Sequence, residues 1–401
     1  MYVTRPLSMY KKCPSALSEP PPEGPSSGIL VVQDEGAEPK CCFGLAKSDR
    51  IRSLPIPQNK NAEIYYSQGV SRDRDLHFHS VWFVPVLGLP LSSNTYYAVH
   101  PLGKDRGEAF ACSTEEELET CCFYTYAPET QPQSFDPRNI YQQMEISLHG
   151  RQISPWGSDF EAKSIAPDGF APGFLGRREG WKLLIRSDQG PEFDLGDAQG
   201  LSAGLRTRLP DFNFALSCEK SMPVVVGKWY TPFMFVKEGT PKTLKDQMRM
   251  SMFYEITLEQ NWEQIFACDN NTTSGGNSVA VDAVMKSEVV VVGGLEAVVD
   301  ERDLGDGVLW FRSVNNVGSE TSIGLSLALV ERMKWEQERV GYVVGKEKEV
   351  EKREEYKGGL GDWKRFGCYV LVERFVFKRM DGSLALTHKF RHTHQIRTKW
   401  E

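Results

Sequence analysis

No stretch of this 401-residue chain approaches the about 18 consecutive apolar residues that a membrane-crossing helix needs. The longest apolar run, VWFVPVLGLPL (81–91), is interrupted by Pro85, Gly88 and Pro90 and is too short to span a bilayer. The opening stretch MYVTRPLSMYKKCPSALSEPPPEGPSSG has no apolar segment of signal-peptide length. A soluble, intracellular chain with no signal peptide is therefore expected, in the cytoplasm or nucleus, and the sequons at Asn270 and Asn271 should mark a hairpin loop. The nine cysteines are odd in number and contain no C-x-x-C pair, which excludes a ready disulfide framework or zinc knuckle and predicts reduced thiols. Adjacent pairs such as Cys41-Cys42 and Cys121-Cys122 would point to opposite faces of a strand. P-loop, dinucleotide, H-E-x-x-H and EF-hand spacings are all missing, so no cofactor is expected.

What is present suits a folded protein of two domains: 40% apolar residues, 11% aromatic and nine tryptophans. Charge is uneven. From Trp363 onward nine Lys/Arg face three acids, +6 locally, which leaves −13 for the rest of a chain at −7. A basic end on an acidic protein complements either an acidic face of the same molecule or an acidic partner. The organisation reads as a Pro-rich extended arm (1–27), an N-terminal β-rich domain (28–160), a connecting region with a short helix (161–220) and a C-terminal antiparallel β domain (221–401).

Periodicity carries the fold class. In MRMSMFYEITLEQNWEQIF (248–266) apolar residues recur at nearly every second position, the pattern of a half-buried strand. Similar runs occur in AVMKSEVVVVGGLEAVV, SIGLSLALVERMKWEQERVGYVV and the C-terminal FGCYVLVERFVFKRMDGSLALTHKFRHTHQIR. Strands usually have about five or six residues, so runs of this length predict either bulges or an elongated sheet. Short helices are expected at STEEELETCCF, capped by Ser113 or Thr114, and at DPRNIYQQMEI, capped by Asp136. The reading is a mainly β protein, with α+β as the alternative: an N-terminal β-rich domain with small helices, then a C-terminal antiparallel β-sandwich of long strands.

The blocks PLSSNTYYAVHPLGKDRGEA, AKSIAPDGFAPGFLGRREGW, FYEITLEQNWEQIF and the C-terminal GCYVLVERFVFKRMDGSLALTHKFRHTHQIRTKWE, with the opening stretch, resemble the land-plant family catalogued as domain of unknown function 1262. The resemblance implies a plant source and brings no activity, cofactor or catalytic residue.

Candidate chemistry is sparse. Asp381-Gly382 between two alternating runs predicts a hairpin with a type I′ turn. Its register places Phe375 opposite His388, Glu373 opposite Phe390, Leu371 opposite His392 and Tyr369 opposite His394, with all three histidines and Ile396 on the apolar face. His392 and His394 are close enough to share a metal, and His77 and His79 are the other H-x-H pair. A complete zinc site needs further ligands, so structural histidines are the preferred reading and no metal is expected. GLSAG (200–204) matches the G-x-S-x-G elbow with Ser202 as nucleophile, but polar FDLGDAQ precedes it where an apolar strand is needed. Lys389, Arg391, Arg397 and Lys399 form a candidate binding surface. The charge run KEKEVEKREEYKGGLGDW reads as a solvated connection between long strands. Three functions remain: a non-enzymatic binding or interaction protein, which is preferred; a membrane-active, pore-forming-like β protein; and a serine hydrolase. A protein or small-molecule partner is expected and nucleic acid is not; contact with a membrane surface is the lesser alternative.

Overall fold

A computed structural model describes residues 1–38, 40–41, 46–68, 75–117, 119–121, 124–126, 130–154, 157–186, 195–239, 243–270, 276–300, 307–345, 347–359 and 361–401. The chain is mainly β, with few and short helices. It divides into two compact units: residues 1–198, 232–252 and 305–307 form the first, and 199–231, 253–304 and 308–401 the second. Cys42, Cys122 and Asn271 lie outside the described residues. Cys112 and Cys368 are free, buried thiols whose pKa burial pushes up to about 11. Asn270 serves locally, its amide donating to the carbonyls of Gly361 and Trp363.

In the first unit seven strands pair in the order Gly157–Ser164, Gln143–Ser154, Thr95–Val99, Asp75–Pro85, Asn61–Gln68, Lys182–Arg186, Arg50–Ile51. A bridge between Phe160 and Trp181 draws the two ends of this sheet together. The enclosed core stacks Trp181 against Phe83 and Phe160 at 6.1 and 5.2 Å, and the indole N–H donates to the Leu175 carbonyl. The first residues are packed: Tyr2–Pro6 is a strand parallel to Gly28–Val32, and Tyr2 is fully buried with its hydroxyl donating to the Pro85 carbonyl. The two helices expected here contract to single 3-10 turns. At Glu115–Glu117 the Glu117 carboxylate does accept from the Thr114 N–H, yet three glutamates in a row bring no apolar face to pack. At Ile140–Gln142 the cap is Asn139, because Asp136 accepts from the Arg138 N–H instead.

The second unit is built on a long sheet ordered Glu320–Ser326, Val308–Val314, Leu295–Asp300, Glu288–Val292, Leu384–Trp400, Arg365–Arg379, Phe253–Asp269, Val224–Pro232. The expected long strands form: Phe253–Asp269 and Leu384–Trp400 have 17 residues each and Arg365–Arg379 has 15. Bulges punctuate them, at Ile265 and opposite Val370/Leu371. Two long runs divide. Gly293 and Gly294, both at positive φ (59° and 82°), close a two-residue turn between Glu288–Val292 and Leu295–Asp300, as a type I′ geometry requires. The SIGLSLALVERMKWEQE segment is a strand only to Ser326. Leu327–Glu338 is a helix, because Leu329, Val330, Met333, Glu336 and Gln337 recur at helical spacing and all are buried.

The charge run is likewise no simple connection. Glu347–Glu355 pairs with Ser278–Lys286 in a two-stranded ribbon, whose Val279 and Val281 pack with Phe366, Cys368 and Trp363 on one face of the long strands. The ribbon forms a second layer at that end of the sheet. The long helix covers the other face.

Candidate functional site

The hairpin Arg365–Arg379/Leu384–Trp400 forms in the expected register over its middle: Phe375 opposite His388, Glu373 opposite Phe390, Leu371 opposite His392. Its turn differs. Only Gly382 has positive φ (82°); the Gly382 N–H donates to the Arg379 carbonyl and the Arg379 N–H to the Ser383 carbonyl, so the loop is Met380–Gly382 with a glycine bulge rather than a two-residue turn. A compensating shift between Phe377/Leu386 and Lys378/Leu384 restores the register. The second departure matters more. After Leu371–His392 the next pair is Val370–Ile396, so residues 393–395 bulge out and parity inverts along the rest of the strand. His394 is exposed, Ile396 joins the ribbon-side core, and Tyr369 pairs with Arg397. The four expected surface cations therefore divide between two faces, Lys389 and Arg391 on the ribbon side, Arg397 and Lys399 on the helix side.

The histidines are placed accordingly. His388 is buried, with Nε2 2.6 Å from Glu288 Oε1 and its ring stacked on Phe390 at 4.4 Å. Burial works to raise the Glu288 carboxyl, but the His388 contact and charge lower it. His392 is buried and donates from Nε2 to Gln337 Oε1 at 2.9 Å; its ring meets that of the exposed His394 edge-on at 5.5 Å. His77 and His79 lie on Asp75–Pro85 of the first unit, where both stack on Tyr66 and His79 also stacks on Phe174. Among the described residues no group of three His, Cys, Asp or Glu side chains converges as metal ligands.

Behind His392 lies a cluster of buried charges. Glu373, 1% exposed, accepts four hydrogen bonds: from Arg206 Nε (2.9 Å) and Nη2 (2.6 Å), from Gln260 Nε2 (2.7 Å) and from Gln337 Nε2 (2.8 Å). Arg206 also reaches Glu336 through its carboxylate (3.1 Å) and its carbonyl (2.8 Å), and Arg332 binds the same carboxylate at 2.6 Å. The two buried guanidiniums match the two carboxylates, the half-exposed Arg339 reaches Glu336 at 3.9 Å from the edge of the cluster, and His392 adds a further titratable group beside them. Burial works to raise the Glu373 carboxyl, yet the Arg206 bonds and charge hold it below the usual range. Burial raises Glu336 in spite of three arginines around it. Burial also lowers His392 to about 4, against the opposing pull of Glu373, so at neutral pH the imidazole is uncharged.

Arg206 comes from the segment read as a nucleophile elbow. Its strand, Gly200–Leu201, has two residues, and Ser202 is exposed at the N-cap of Ala203–Arg208 with ordinary φ/ψ of −94° and 92°. The same turn and helix deliver the guanidinium to Glu373. The signal for this was Glu373 itself, a carboxylate on the apolar face of a strand, which demands a buried cation.

Two open regions flank this core. Arg208, Phe212, Arg397 and Lys399 border a groove of about 650 Å³. Arg397 lies over the rings of Trp262 (4.8 Å) and Phe212 (5.7 Å), and Lys399 Nζ donates to the Phe214 carbonyl. Leu209, at its lip, has φ +61°, a strained conformation for a branched residue. On the ribbon side, Lys389 and Arg391 border a second groove of about 480 Å³.

A family model described as a protein of unknown function (DUF1262) matches residues 23–123. No curated protein matches the sequence. Among solved structures, the crystal structure of Cry35Ab1 is similar with a TM-score of 0.45 at 11% identity, over 86% of this chain and 90% of that one.

Proposed function

We propose that this chain is a non-enzymatic binding protein that takes an acidic segment of a partner protein in the groove between Arg208, Phe212, Arg397 and Lys399. The observation that carries this reading is the charge of that groove: three cations face one acid, Asp211, which accepts from the Asn213 N–H; among the described residues none of the three cations has an ion-pair partner, and Arg397 and Lys399 lie over aromatic rings. A guanidinium held over Trp262 loses little freedom when it binds a carboxylate. The groove is open rather than enclosing, which suits an extended peptide better than a small ligand.

Two features count against the other readings. The most polar cluster is built of a carboxylate whose four acceptor positions are filled, which leaves it no capacity as a general base. The ribbon strand EKEVEKREE, with eight charged side chains among nine residues, has no apolar face to present to a bilayer.

Anisotropy of a labelled octaglutamate peptide at low salt tests the proposal. Saturable binding is expected, weakened about tenfold in Arg397→Gln/Lys399→Gln and lost progressively with salt. No binding by the wild-type protein, or equal binding by the double variant, overturns it.

A further inference from the structure

The ribbon-side groove has a different character. Its walls are mixed: Val284 and Met285 at the end of the ribbon and Val289, Val291 and Ile265 on the sheet supply an apolar strip, bordered by the exposed Lys286–Glu296 ion pair (2.5 Å), in which the lysine already neutralises the carboxylate. Val284 is 64% exposed, and Val298, on the same face of the sheet as Val291, is 74% exposed, so the apolar strip continues outward. The charges at its inner end do not balance. Arg391 clamps Glu263 Oε1 at 2.6 and 3.2 Å, and Lys220 reaches the other oxygen at 3.6 Å. Arg374 holds Glu259 Oε2 at 2.6 and 2.9 Å. Both carboxylates are thus taken, and Lys389, paired with Val289 on one side and Arg374 on the other, is left half-buried without a hydrogen-bond or ion-pair partner among the described residues.

We propose that this groove binds a soluble aliphatic carboxylate, its head on the Lys389 ammonium and its chain along Val284, Met285, Val289 and Val291. An ammonium withdrawn from water without a counter-ion is costly, and an entering carboxylate removes that cost while its chain covers exposed valines. Burial pushes the Lys389 pKa down, opposed by Glu263 and reinforced by Lys220, Arg391 and Arg374, so a further anion is what the surroundings favour. The volume falls within the about 300–1,000 Å³ of small-ligand sites. This reading stands apart from the peptide groove, which lies on the other face of the hairpin.

Calorimetry with decanoate, decanol and decyltrimethylammonium, each below its micelle concentration, tests it. Decanoate should bind once per chain, with the decyltrimethylammonium cation at least about tenfold weaker. Lys389→Met should weaken decanoate about tenfold, Lys389→Arg should hold it within about threefold, and Val284→Asp, at an exposed position, should weaken it about tenfold by opposing the chain. At the same concentration, decanoate should raise the melting temperature of wild type more than that of Lys389→Met. The proposal is overturned if decanoate does not bind, if decanol binds as tightly, if Lys389→Met or Val284→Asp binds like wild type, or if phosphatidylserine vesicles bind where decanoate does not.

Discussion

The two faces of the C-terminal hairpin handle charge in opposite ways. On the helix side, Glu373 and Glu336 are sealed from water and matched by the buried Arg206 and Arg332, with the half-exposed Arg339 beside Glu336 and every acceptor position of Glu373 filled. On the ribbon side, four cations (Lys220, Arg374, Lys389, Arg391) share two carboxylates, and Lys389 goes unmatched. A saturated buried network holds structure, since removing any member strands the others at low dielectric. An unsaturated, half-exposed one has charge to offer a ligand.

The largest effect should follow from emptying the saturated side. Arg206→Met leaves Glu373 and Glu336 without their shared guanidinium and should cost about 3–5 kcal/mol in urea denaturation. The loss should shrink in Arg206→Met/Glu373→Gln, where one stranded charge is also removed. A loss under about 1 kcal/mol for the single variant would mean that the cluster is wetter than its burial implies, and the contrast between the faces would fail.

Acid should open the same side. His392 has a folded pKa of about 4 against about 6.5 in the unfolded chain, so the unfolded state binds more protons between those values. The imidazole's stabilising neutrality is complete above pH 6.5 and is lost as pH falls toward 4, about 3 kcal/mol in all. His392→Gln keeps a hydrogen-bonding side chain and lacks the titration. Urea unfolding at pH 7, 5.5 and 4 should therefore show a steeper loss in wild type than in the variant; parallel losses would place the acid sensitivity elsewhere.

Much of this hairpin was legible in the sequence, and what was not has identifiable causes. Alternation in FYEITLEQNWEQIF and GCYVLVERFVFKR marked the long strands, and Asp381-Gly382 marked the turn, because burial on one face forces a period of two. The bulge at 393–395 left no trace: RHTHQIRTKW alternates through it, and a bulge changes which face a side chain takes without changing its chemistry. That is why Arg397 and Lys399 were grouped with Lys389 and Arg391. The long helix was hidden because SIGLSLAL alternates up to the point where the helix begins, and Arg206 because its segment spells a catalytic motif more plainly than a structural one. Glu373 was visible on the apolar face, but the cation it required came from 167 residues away, beyond any local pattern.

The turn between the two faces should matter moderately. Gly382 at φ +82° has open space around it, so Gly382→Val fails through backbone strain alone, about 1–3 kcal/mol. Gly359 has no positive φ, and a side chain there meets the flexible Asp362 carboxylate, which can move. Gly382→Val should therefore lower the melting temperature more than Gly359→Val. Equal melting would mean that the glycine bulge does not set the register on which both faces depend.

The smallest effect belongs to the unsaturated side. Lys389 has no partner to lose, and burial already disfavours its charged form. Lys389→Met keeps the length of the stem, removes one of four crowded cations and should leave stability within about 0.5 kcal/mol of wild type, or raise it. At high salt, where repulsion among Lys220, Arg374 and Arg391 is screened, any gain should shrink. Destabilisation beyond about 1 kcal/mol would show that Lys389 is already matched within the chain. The ribbon-side groove would then have no charge left for a ligand, and the two faces would differ only in depth of burial.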